Sequence, residues 1–166
     1  MVDDLAIISR LIQEHQTIRG HVKLVGDSIT DEEALVSLTG VRPDWIPGRL
    51  EILSEKQNKL QKALHFLDEG LRNHFAYEEK VLPPLLGELF MRALMLDHRE
   101  IEKEINKAQS TMLSTKLEGL SREELVSKGS QIQQVIESIC GLVEEHATRE
   151  ETVLDMAKKA LEAGGN

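Results

Sequence analysis

From Leu50 to Leu71 the positions Leu50, Leu53, Gln57, Leu60, Leu64, Leu67 and Leu71 advance in alternating steps of three and four. Such steps bracket the 3.6-residue helical turn, so these side chains share one stripe, and a stripe this long has to be buried against other helices. The next two members of the series are His74 and Glu78. An apolar seam therefore runs into an imidazole and a carboxylate one turn apart on the same face. Inward-facing groups of this kind are costly unless they are hydrogen-bonded or coordinated, which points to metal ligation. The same spacing returns at His98/Glu102 and His146/Glu150. His–Glu pairs also decorate exposed helices as ordinary ion pairs, but here each lies on the apolar face of a separate segment, which favours a polynuclear metal site inside a bundle. Imidazoles combined with bridging carboxylates suit a pair of first-row ions such as iron or manganese.

The rest of the chain supplies the other walls. Residues 3–26 read as a first helix, with Leu5, Ile8, Ile12, His15, Val22 and Val25 at helical spacing and Gly26-Asp27 closing it. His15 then faces inward, and His21 faces elsewhere. Thr30 and Glu33 have capping-box spacing and open a short extra helix over 31–38. A punctuated loop over 41–48 carries Trp45, read as a cap over the end of the core. The second long helix runs from about Pro47 to Leu82, where Pro83-Pro84 stops it, and leaves His65 solvated. After a connection of roughly six residues containing Gly87, a third helix covers about 88–114, with Phe90, Met91, Leu94, His98, Ile101, Glu102 and Ile105 on or beside one face. Ser121 and Glu124 cap a fourth helix that continues to about Ala163, with a weak point at Gly129. His74 stands about ten residues before the second turn and His98 about ten after it, so in an antiparallel pair both lie roughly 15 Å from that turn. His15 and His146 join them if the helices alternate up and down. The expected architecture is all-α: one domain over residues 1–166, an up-down-up-down antiparallel four-helix bundle with the extra helix in its first connection.

Composition narrows the partners. A net charge of −9 repels a nucleic-acid backbone and an anionic membrane alike. No apolar run approaches the roughly 20 residues needed to span a bilayer, and the opening Met1-Val2-Asp3-Asp4 lacks a basic signal region, so a cytoplasmic protein is expected. Cys140 is the only cysteine, which precludes an intrachain disulfide and reads as a small core filler. Met91, Met95 and Met112 read as core packing, and Tyr77 as a rim residue. Glu79 and Glu151, one position past Glu78 and Glu150, read as surface charges with a lesser prospect of accepting a histidine N–H.

The order of motifs, a first-helix histidine, His-x-x-x-Glu, a histidine, then His-x-x-x-Glu, resembles the hemerythrin-like family of cation-binding domains. The blocks His74-Phe75-Ala76-Tyr77-Glu78-Glu79-Lys80-Val81-Leu82-Pro83 and Glu144-Glu145-His146-Ala147-Thr148-Arg149-Glu150-Glu151-Thr152-Val153-Leu154 are similar to the two characteristic stretches of that family. The resemblance covers nearly the whole chain. It implies a non-haem di-iron centre, oxo- or hydroxo-bridged, with Glu78 and Glu150 as bridges and His15, His74, His98 and His146 as terminal ligands; manganese or zinc are alternatives. It also implies a small ligand, oxygen, nitric oxide or peroxide, either bound or turned over. Enzymatic rivals are peroxide turnover, ferrous oxidation and iron donation for cluster repair, and a metal-dependent sensing or interaction module is a further one. Oxygen-carrying hemerythrins place another histidine where this chain has Glu102, and a five-residue His-to-Asp step where it has His146 to Glu150. Glu102 is accordingly expected as an anionic ligand that weakens the case for reversible oxygen carriage, with His21 as a substitute donor if the first helix is distorted.

Overall fold

The computed structural model describes residues 3–41, 47–114 and 122–164. Among these residues the protein is all-helical: α1 (Asp4–Val41), α2 (Pro47–Val81), α3 (Pro83–Ser114) and α4 (Arg122–Gly164), with no strand. Each helix packs chiefly on two neighbours, α1 on α2 and α4, and α3 on α2 and α4, so the four enclose a common interior. Among the described residues no helix is long and apolar enough to cross a membrane.

Two helix boundaries differ from expectation. α1 does not close at Gly26-Asp27 but continues to Val41, so residues 31–38 belong to α1 and form no separate short helix. A mid-helix glycine costs only about 1 kcal/mol. Val25 and Ser28 are buried, and Ser28 Oγ donates to the carbonyl of Leu24 at 2.8 Å, so packing carries the helix through the stop signal. At the other junction the connection between α2 and α3 is shorter than six residues. Leu82 alone bends, and Pro83, which has no N–H to leave unpaired, starts a single helical turn. The amides of Leu85 and Leu86 bond the Leu82 carbonyl at 3.0 and 2.9 Å. Gly87 then turns the chain at φ 81°, a region other side chains avoid, before α3 proper begins. α4 passes through Gly129 unbroken. Trp45, the link at 115–121 and Ser121 lie outside the described residues, as do the side chains of Thr30 and Glu33.

The apolar interior is split in two. One cluster gathers Ile18 and Val25 of α1, Leu60, Leu64, Leu67 and Leu71 of α2, Ile101 and Ile105 of α3, and Ile136, Ile139 and Val143 of α4, with Cys140 packed against it. The other gathers Ile7, Ile8 and Leu11, then Leu82, Met91, Leu94 and Leu154. On every helix a histidine falls between the two: His15 between Leu11 and Ile18, His74 between Leu71 and Leu82, His98 between Leu94 and Ile101, and His146 between Val143 and Leu154. Oil above and below this layer excludes water from it. Because Leu64 is fully buried in the larger cluster, Leu64→Ala is expected to lower unfolding free energy by about 2–5 kcal/mol, read from the urea midpoint of the purified protein.

Candidate metal centre

Four histidines and two glutamates meet in the layer between the clusters. His15, His74, His98, His146, Glu78 and Glu150 are all at most 3% exposed. They form two groups, His15, His74, Glu78 and Glu150 in one, and Glu78, His98, His146 and Glu150 in the other, with the candidate ligand atoms of each group within 4.8 Å of one another. Glu78 and Glu150 belong to both. Glu78 Oε1 faces His74 Nε2 and lies 3.6 Å from His15 Nε2, while its Oε2 lies 2.9 Å from His98 Nε2. Glu150 Oε1 lies 3.3 Å from His15 Nε2, and its Oε2 lies 3.1 Å from His146 Nε2. Each carboxylate thus turns one oxygen toward each group, so both groups could share it in holding cations.

The donor chemistry fits a metal pair. The Nε2 atoms of all four histidines and both oxygens of Glu78 and Glu150 are buried without a hydrogen-bond partner among the described residues. Orphaned polar atoms in an apolar interior are expensive, and two cations satisfy all eight at once. Nitrogen and carboxylate oxygen together suit iron, manganese or zinc.

A second ring of acids lies outside the imidazoles. His15 Nδ1–H donates to Glu151 Oε1 at 3.3 Å, His98 Nδ1–H to Glu79 Oε1 at 3.0 Å, and His146 Nδ1–H to Asp97 Oδ2 at 3.1 Å, while His74 Nδ1 stands 3.6 Å from Glu14 Oε1. Each helix supplies one histidine to the centre and sets one acid beside the histidine of a neighbouring helix; three of these pairs are hydrogen-bonded, and His74 Nδ1 has no hydrogen-bond partner among the described residues. A proton fixed on Nδ1 leaves the Nε2 lone pair for the cation. Glu79 and Glu151 are therefore more than surface charges, and Asp97 and Glu14 were not singled out by sequence reading. The signal available was an acid immediately before each odd-helix histidine, Glu14-His15 and Asp97-His98.

Arginines hold part of this ring. Arg19 donates to both oxygens of Glu151, at 2.6 and 2.9 Å, and also bonds Glu144, while Arg149 donates to Asp97 at 2.9 Å. Arg19 holds the Glu151 carboxyl below its ordinary range. Among the central residues, burial pushes His15 down, but the carboxylates of Glu150 and Glu78 outweigh it and raise His15 to about 10. For His146 burial is likewise outweighed, by Glu150 and then Asp97, and its pKa rises. Burial pushes the Glu78 carboxyl up, yet its contacts with Glu150 and the histidines hold it well below the usual carboxylate range. Without a cation, protons on His15 and His146 offset the charge of the buried acids.

Two expected donors are not brought in. Glu102 joins neither group and is half-buried. The inward step after His98 is three residues, to Ile101, and not four as after His74 and His146, so Glu102 falls beside the seam. The Phe75 ring stacks on His98 with centroids 3.9 Å apart and planes 9° apart, covering one face of that imidazole. His21 also joins neither group, and a Cβ built on Gly70 would lie 3.9 Å from its Cδ2, so it packs across the α1–α2 contact. His65 is exposed beside Glu69. Tyr77 is half-buried in the smaller cluster, with the Arg10 guanidinium 3.7 Å above its ring.

No family model, curated protein or solved structure matches this chain. The functional reading therefore rests on the donors themselves.

Proposed function

We propose that this chain is a hemerythrin-like non-haem di-iron protein, acting in the cytoplasm, that binds or reacts with oxygen, nitric oxide or peroxide. The observation that carries the reading is the pair of four-donor groups sharing Glu78 and Glu150. We infer an up-down-up-down antiparallel bundle from contacts that run in reverse order along neighbouring helices. Arg10 meets Tyr77 and Glu14 meets His74; Arg72 meets Asn106 and Glu79 meets His98; His15 meets Glu151 and Arg19 meets Glu144.

When bound, an iron pair supplies the electrons exchanged with such a small species. The chain's own contribution would be to hold the ions through the four imidazoles and the two shared carboxylates, to orient His15, His98 and His146 through outer acids, and to keep bulk water out with the flanking clusters. A second reading is a redox enzyme that turns over peroxide or oxidises ferrous iron. The matched donor sets favour it, since the oxygen-carrying hemerythrins add a further histidine at the position of Glu102, which here stays outside both groups.

Metal analysis and an optical spectrum of aerobically purified protein test the proposal. About two irons per chain with near-ultraviolet charge-transfer bands are expected, and a chain that neither carries metal nor accepts it on reconstitution overturns it. Anaerobic reduction followed by oxygen separates the two readings: a stable adduct supports binding, and immediate oxidation with peroxide consumption supports turnover.

A further inference from the structure

The two cation positions have the same donor types, yet what stands behind their histidines differs. Behind His98 and His146 the acids are close, at 3.0 Å for Glu79 and 3.1 Å for Asp97. Behind His15 and His74 they stand further off, at 3.3 Å for Glu151 and 3.6 Å for Glu14. The charges differ as well. Both oxygens of Glu151 are occupied by Arg19, whereas Glu79, among the described residues, has no basic side chain against it except the His98 imidazole it accepts from.

The contrast traces to one pair of positions. Arg19 is four residues past His15 on α1, and the corresponding residue four past His98 on α3 is Glu102. Glu151 and Glu79 likewise correspond, each following a shared glutamate by one residue and each accepting the Nδ1–H of the neighbouring helix's histidine. Where α1 sets the Arg19 guanidinium on both oxygens of Glu151, α3 has a carboxylate at the matching position and Glu79 is left to His98; Arg149 reaches Asp97 in that half, but at one oxygen only. An acid relieved of its charge by arginine polarises an imidazole less than a free one does, and a shorter Nδ1–H bond to a free carboxylate makes Nε2 the stronger donor.

We infer that the two cation positions are unequal, the one between His98 and His146 filling first and more tightly than the one between His15 and His74. The inference rests on the metal-centre reading and adds an order of loading to it. Glu79 and Arg19 are then positioning residues with opposite effects: Glu79 strengthens the tight position through His98, and Arg19 holds the other position weak through Glu151.

Calorimetric and visible-absorption titration of the metal-free protein with cobalt(II), a spectroscopic stand-in for ferrous iron, tests this. Wild type is expected to bind in two steps. Glu79→Gln weakens the first step by about tenfold and draws the two together. Arg19→Gln strengthens the second step several-fold and leaves the first in place, and Glu102→Arg weakens the first as Glu79→Gln does. Two equal positions that merely repel each other also give two steps, but with the reverse response: Glu79→Gln then weakens only the second, and Arg19→Gln strengthens the first. That pattern overturns the inference while leaving the metal centre intact. A protein that takes up no cobalt at all overturns the metal centre itself. All three substitutions fall on partly exposed side chains, and unchanged far-ultraviolet circular dichroism confirms that each variant is folded.

Discussion

Glu78→Gln is expected to empty both cation positions, taking bound iron from about two per chain to near zero, whereas His15→Ala removes about one. Glu78 is fully buried and directs its two oxygens at different histidines, Oε1 at His74 and Oε2 at His98. A glutamine keeps the volume but loses the charge and offers one acceptor oxygen in place of two. Four imidazoles would then face two cations with Glu150 alone to offset their charge and join them. His15 serves a single group, so its loss leaves the His98–His146 position with all four of its own donors. Metal analysis after reconstitution and desalting reads both outcomes directly. Glu102→Gln serves as the comparison, since at saturating metal it is expected to keep both ions. Retention of one ion by Glu78→Gln would mean that the carboxylate is not shared, and loss of an ion from Glu102→Gln would make Glu102 a ligand after all.

The contrast between Glu78 and Glu102 shows where the amino-acid sequence speaks and where it falls silent. His74 and His146 are each reached by a step of three along the seam and left by a step of four, which lands on Glu78 and Glu150. His98 is reached by a step of four from Leu94 and left by a step of three to Ile101. The alternation was legible in the apolar residues flanking each histidine, and counted strictly it separates the two shared acids, Glu78 and Glu150, from Glu102, which the repeated His-x-x-x-Glu spacing alone does not. The central donors were legible for the same reason, because periodicity decides which side chains face inward. The outer acids were not. Asp97 reaches His146 and Glu14 approaches His74 only because α3 lies beside α4 and α1 beside α2, and neighbour order around an interior is a property of packing that no helical spacing encodes. The length of α1 escaped similarly: Gly26-Asp27 is a sound local stop signal, overridden by the burial of Val25 and Ser28 against other helices.

Removing the metal is expected to lower the melting temperature, and by more at about pH 9 than at about pH 6. Two linkages of opposite sign produce the widening gap. In the metal-free protein the neighbouring carboxylates raise His15 from 6.5 to about 10, and His146 rises as well. A base that holds its proton more tightly folded than unfolded contributes stability that is fully present below its unfolded pKa and is lost as pH climbs through its folded one. For His15 that loss spans roughly pH 6.5 to 10, so the metal-free protein weakens across this window. Glu78 is held well below the usual carboxylate range, so it stays ionised throughout; its own contribution disappears only in acid. In the loaded protein the same Nε2 atoms hold cations, which protons displace as pH falls, so metal affinity and the stability it brings increase with pH. A free metal concentration about a thousandfold above the dissociation constant adds about 4 kcal/mol. Thermal melts followed by circular dichroism, with and without chelator and at matched ionic strength, give both curves. The expected pair diverges: the metal-free midpoint falls with pH while the loaded one holds or rises. A metal-free midpoint that instead climbed over this range would show that His15 and His146 are neutral in the fold, and the buried carboxylates would then need a counter-charge other than those two imidazolium ions.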